Sequence, residues 1–141
     1  MSELYVTRFD GVSVPASQYR PVWLNALADD VTIEGSAMNG FAQGPEAVRS
    51  IVTFIRTLYD DQEFTFAGSY GENGFMENYT ARVRGEELGN VVLVTRNAEG
   101  QAQRIVANYR PRTTLLLVSR LIGEHFAGSP YAKYFASRAL E

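Results

Sequence analysis

The chain is 141 residues long, with no cysteine, one histidine (His125) and a formal charge of −3. Disulfides, iron–sulfur clusters, thiol nucleophiles and multi-histidine metal sites are thereby excluded, and no metal or other cofactor is expected. Acids outnumber bases sixteen to thirteen and Lys133 is the only lysine, so the excess cation that neutralises phosphates is missing and no nucleic-acid partner is expected.

A chain of this length buries roughly two-thirds of its surface on folding, enough for one core, and a single domain over residues 1–141 is expected. Met1 to Tyr5 has no basic segment leading into an apolar run. The most apolar stretch, Leu115 to Val118, is far short of the ~20 residues a membrane span needs. A cytoplasmic protein without a membrane partner is expected.

Apolar residues at Tyr19, Val22, Trp23, Ala26 and Leu27 follow helical spacing, which predicts a first helix from Pro15 to Asp30. A short strand, Val31 to Glu34, then breaks into the glycine-bounded loop Gly35 to Gly40. Pro45 suits a first helical turn and Glu46 suits its dipole, and Val48, Ile51, Val52, Ile55, Leu58 and Tyr59 carry an apolar stripe to Asp60. From Gln62 to Arg110 strands alternate with turns at Gly71–Gly74, Gly85–Glu87 and Asn97–Gly100. This pattern predicts a four-strand antiparallel meander, ended by Pro111. Thr113 or Thr114 can cap a last helix running to Glu124, and the aromatic tail from Gly128 to Phe135 has no evident place. The fold class expected is α+β: a curved antiparallel sheet forming a cone packed against N-terminal helices, its core over about 15–110 and a C-terminal helical extension over 113–135.

Three strings carry a family resemblance: Leu27-Ala-Asp-Asp-Val-Thr-Ile-Glu34, Gly44-Pro-Glu-Ala-Val48, and Arg96-Asn97-Ala-Glu-Gly100 with Arg104 to Tyr109. With the order of elements they resemble the SnoaL-like branch of the nuclear-transport-factor-2-like superfamily, the cystatin-like relatives of ketosteroid isomerases and polyketide cyclases. The resemblance implies a cone whose interior holds an apolar ligand, and a homodimer built on the sheet. It covers catalysts and non-catalysts alike, so fold alone does not define the reaction. The carboxylates it would supply are missing. The two isomerase aspartates fall on Gly35 and Val92, and the cyclase aspartate falls on Arg110.

Alternation along strands fixes which side chains share a face. If the matched positions point inward, so do Phe75, Glu77, Tyr79, Ala81 and Val83 on one strand, Asn90, Val92, Val94 and Arg96 on the next, and Val106, Asn108 and Arg110 on the last. Glu77 is the candidate general base, its charge disfavoured by apolar neighbours, with Tyr79 and Asn108 as hydrogen-bond donors to a developing oxyanion. The alternative is a structural ion pair of Glu77 with Arg110 or Arg96. Ligand contacts are expected from Trp23, Met38, Phe75, Asn90, Val92, Val94, Val106 and Arg110. Trp23 also fits as core, and Met38 as a gate or a gap filler. His125 lies at a helix end outside the cup.

Val91, Leu93, Ile105, Ala107 and Tyr109 would then form an apolar outer face for the dimer. These residues together suggest a cofactor-independent acid/base enzyme of isomerase, cyclase, dehydratase or hydrolase type, acting on a small hydrophobic molecule. The alternative is a non-catalytic ligand-binding or dimerisation module.

Overall fold

The computed structural model describes residues 3–135. It opens with a small hairpin, β1 (Tyr5–Thr7) and β2 (Ser13–Pro15), followed by 3₁₀ turns at Ala16–Gln18 and Val22–Asn25. Then come β3 (Leu27–Gly35), β4 (Ala42–Gln43), helix α1 (Pro45–Thr57), and the strands β5 (Asp60–Tyr70), β6 (Gly74–Val83), β7 (Glu86–Arg96) and β8 (Ala102–Arg110). Helix α2 (Arg112–His125) and a 3₁₀ turn at Ala132–Tyr134 are the last elements of the described residues. The six-stranded sheet has the order β4-β3-β8-β7-β6-β5. Every neighbouring pair is antiparallel except β3 with β8, which run parallel.

The α+β class, the meander and α1 follow the sequence pattern. Pro45 occupies the first turn of α1, whose buried residues are Ala47, Val48, Ile51 and Ile55. The predicted helix from Pro15 to Asp30 does not form. Pro21 sits in its middle, lacks the N–H a helix interior uses and drives the residue before it out of the helical region. Two short turns flank it instead, and the chain is extended from Leu27 onward. Tyr19 and Trp23 are nevertheless both buried, because each turn rolls its aromatic ring inward. The threonine cap of α2 is also absent: Pro111 precedes the helix, and the Thr114 hydroxyl donates to the Glu87 carbonyl at 2.7 Å.

In a flat sheet, β3 and β5 would lie about 19 Å apart, four strand spacings. Yet Ile33 of β3, Phe64 of β5 and Ile55 of α1 border one interior cavity, so the sheet curves around the helix. The N-terminal hairpin closes one end. Phe9 packs edge-on against Phe75 with ring centroids 5.4 Å apart, and Arg96 lies 4.4 Å above the Phe9 ring while donating to the carbonyls of Phe9 and Gly74. No helix among the described residues is long and apolar enough to cross a membrane.

Candidate functional site

The cavity between α1 and the concave face of the sheet offers about 60 Å³ to the centres of water-sized spheres. That is well under the ~150 Å³ of an apolar cavity that takes one benzene, so it suits a short run of ligand atoms. Its walls are largely aliphatic and aromatic, with Glu34, Arg56 and Gln62 among the lining residues and buried polar groups gathered at two places.

The first is Glu77. Its strand alternates strictly, and pairing with Val92 across β6 and β7 aims it inward, where it is 2% exposed. The Tyr19 hydroxyl and the Trp23 indole N–H, the latter at 2.9 Å, both donate to Oε2. Oε1 accepts no hydrogen bond from the described residues, and Glu77 borders the cavity. One oxygen is thus fixed and the other is available. Burial pushes the carboxyl pKa above the ordinary 4.5, against the opposing pull of the two donors and of the Arg56 guanidinium. No ion pair with Arg96 or Arg110 forms: Arg96 is held by carbonyls near the hairpin, and Arg110 reaches Asn78 at 3.3 Å.

The second is a chain of neutral groups. The Asn90 amide nitrogen donates to the Tyr79 hydroxyl at 2.7 Å, which lies 2.7 Å from the Tyr59 hydroxyl, itself 3.1 Å from that of Tyr109. Asn90 is 1% exposed, and its Oδ1 has no hydrogen-bond partner. Burial raises all three phenols, Tyr109 to about 12 and Tyr59 and Tyr79 well above the ordinary 10.0, so each stays protonated at neutral pH.

The structure sorts the sequence-derived candidates. Glu77, Tyr79, Trp23, Met38, Asn90 and Val92 border the cavity. Phe75 and Val94 are buried but lie outside it. Val106, Asn108 and Arg110 face the other side of the sheet, which removes Asn108 as an oxyanion donor and Val106 and Arg110 as ligand contacts. The cause is a single bulge. Arg96 pairs with Ala102, a register that extended unbroken would set Val92 opposite Val106 and Asn90 opposite Asn108. The next pair is instead Thr95 with Arg104, so one extra residue enters β8 and every later side chain changes face. Val92 therefore pairs with Ala107 and Asn90 with Tyr109.

Ile105, Ala107 and Tyr109 consequently line the cavity and do not contribute to an outer dimer face, where only Val91 and Leu93 of the five expected residues remain. Alternation of polarity carried a signal for this, since the set Ile105, Ala107, Tyr109 is the more apolar of the two. The sequence places Tyr19 and Tyr59 in apolar helical stripes and Tyr109 on the outer face of the sheet, whereas in the structure their hydroxyls join the two polar corners of the cavity. His125 stacks on Phe54 with centroids 3.7 Å apart, at a separate surface hollow.

Gly35 explains the missing isomerase base. A Cβ there would lie 2.0 Å from the Ala107 carbonyl oxygen, so this backbone admits no side chain at the position. Among the described residues, no three His, Cys, Asp or Glu side chains converge as metal ligands.

No protein-family sequence profile matches the chain. No curated protein is similar to it in sequence. Solved structures are similar in shape. One is an uncharacterized bacterial protein with a cystatin-like fold from Silicibacter pomeroyi DSS-3, at TM-score 0.70 and 16% identity over 76% of this chain and 75% of that one. Another is a steroid delta-isomerase from Pseudomonas aeruginosa, at TM-score 0.68 and 17% identity over 74% of this chain and 77% of that one. A third is a de novo designed protein with a curved β-sheet, at TM-score 0.56 and 20% identity over 69% and 78%. The cystatin-like fold is therefore the fold of this chain, one shared with a steroid delta-isomerase.

Proposed function

We propose that the protein is a cofactor-independent acid/base catalyst that moves a proton on a small, largely apolar molecule, with Glu77 as the group that takes and returns it. The observation that carries this reading is the asymmetry of the Glu77 carboxyl in a side chain that borders the cavity: Oε2 is held by Tyr19 and Trp23, while Oε1 accepts no hydrogen bond from the described residues. A buried carboxyl with a raised pKa is suited to proton transfer near neutrality. The Tyr109 hydroxyl, at the end of the phenol chain, supplies a donor to the oxygen that becomes negative when a carbonyl substrate loses its α-proton. Tyr79 acts through that chain, its hydroxyl already engaged by Asn90 and Tyr59. The cavity volume favours a short substrate segment over a fused-ring sterol.

The experiment uses small ketones such as cyclopentanone in D₂O, with α-proton exchange followed by NMR. Exchange catalysed by the wild-type protein and abolished in Glu77→Gln supports the assignment. Equal exchange by both proteins contradicts it. A non-catalytic ligand carrier is the second reading, favoured by Gly35, Val92 and Arg110 standing where the resembling enzymes hold carboxylates. It predicts that a bound ketone keeps its α-protons.

A further inference from the structure

The ligand's own chemistry is written in the atoms the cavity leaves unsatisfied. Asn90 and Tyr109 are directly paired residues on β7 and β8, so their side chains leave the same face as neighbours, about 5 Å apart at Cβ. Between them runs the chain Asn90, Tyr79, Tyr59, Tyr109. With the amide nitrogen donating to Tyr79 and each phenol donating to the next, the proton on Tyr109 is left to donate. Asn90 Oδ1 is then left to accept, and it is buried without a partner. Turning the amide over reverses every bond but leaves the same pair of ends, one donor and one acceptor. A group that accepts from one and donates to the other through a single atom is a hydroxyl.

The charges on the cavity lining define the other end. Three charged residues border the cavity: Glu34, Arg56 and Glu77. Glu34 is neutralised by Arg104 at 2.8 Å. Glu77 is satisfied by neutral donors. Arg56, on the last turn of α1, is exposed and forms no hydrogen bond or ion pair with the described residues, and it also borders the outer groove that shares Pro21, Gln62 and Phe64 with the cavity. Ile33, Ile55 and Ile105 line the space in between. A guanidinium at the entrance favours a carboxylate, which it can meet with paired N–H groups.

We propose that the cavity binds a short aliphatic hydroxy acid, its hydroxyl between Asn90 and Tyr109 and its carboxylate at Arg56. This deepens the proposed function and rests on it only in treating the cavity as the ligand site.

Titrations of the full-length protein, followed by calorimetry or protein NMR, test it with ω-hydroxyalkanoates of four to seven carbons. The 1-alkanol and the alkanoate of each length serve as controls. At one chain length the hydroxy acid is expected to bind at least about tenfold more tightly than both controls. Arg56→Gln, which removes no hydrogen bond or ion pair among the described residues although it removes the charge that favours the Glu77 anion, should reduce its affinity to that of the alkanol. Tyr109→Phe, with its fold checked by circular dichroism, should reduce it to that of the alkanoate. Binding with no preference over either control, a preference that survives Arg56→Gln, or no binding at any length up to ~10 mM overturns the proposal. Glu77→Gln should retain the preference. A hydroxy acid bound by a protein that exchanges no α-protons would remove the catalytic reading and leave this one standing.

Discussion

Glu77 and Tyr79 sit two residues apart on one face of β6, and the same burial acts on both with opposite chemical results. Removing an acid from water disfavours its anion, so both pKa values rise. For the carboxyl the rise starts from 4.5 and leads toward neutrality. For the phenol it starts from 10.0 and leads away, so Tyr79 and its partners become permanent neutral donors and acceptors. One strand thus places a titrating group beside a non-titrating one by choice of side chain alone. The surroundings reinforce the difference: Glu77 has a fixed oxygen and an available one, whereas the tyrosines are chained to one another and offer only their ends.

The contrast predicts how each corner fails. Glu77→Gln keeps the shape and the two donors' acceptor while removing the base, and should lower proton-exchange rate on the order of 10³-fold. Tyr109→Phe removes one donor from a network that keeps its other members, and should cost on the order of 10²-fold in the same assay with binding of a plain ketone little changed. Comparable losses in the two variants would erase the distinction between the corners.

Trp23→Phe leaves Glu77 with one donor and should destabilise the fold by about 1–3 kcal/mol in urea denaturation. It should also push the Glu77 midpoint higher. A smaller effect distinguishes the corners by pH. Because the folded Glu77 holds its proton above the unfolded value of about 4.5, the native state binds more protons in that interval, and its contribution to stability is fully present below about 4.5. The contribution falls as pH rises, by at most about 1.4 kcal/mol per unit, until the raised folded value is passed. Glu77→Gln should lack this decline, whereas Tyr79→Phe should retain it. Denaturant titrations at pH 4, 6 and 8 measure both.

The legible parts of the molecule were those set by local periodicity. The stripe of α1, the strict alternation of β6 and the turn glycines between strands each act within a few residues, and Glu77 is inward for that reason. Two local irregularities hid the rest. Pro21 interrupts an apolar spacing that otherwise reads as helix, yet the interruption is what lets Tyr19 and Trp23 converge on one oxygen of Glu77. The extra residue between the Arg96–Ala102 and Thr95–Arg104 pairs turns β8 over, replacing Asn108 with Tyr109 in the cavity. The bulge is a shift in pairing and not in composition, and its one trace in the sequence is that Ile105, Ala107 and Tyr109 form the more apolar alternate set of β8. Tyr59 and Tyr109 meet Tyr79 only through tertiary packing, 20 to 50 residues apart in sequence.

The most direct test is a carboxyl-carbon NMR titration of Glu77, assigned by its loss in Glu77→Gln. A midpoint above 4.5 that climbs further in Tyr19→Phe is the expected result, since that hydroxyl donates to Oε2 and favours the anion. A midpoint at or below 4.5, unmoved by Tyr19→Phe, would contradict the assignment of Glu77 as the proton-transfer group.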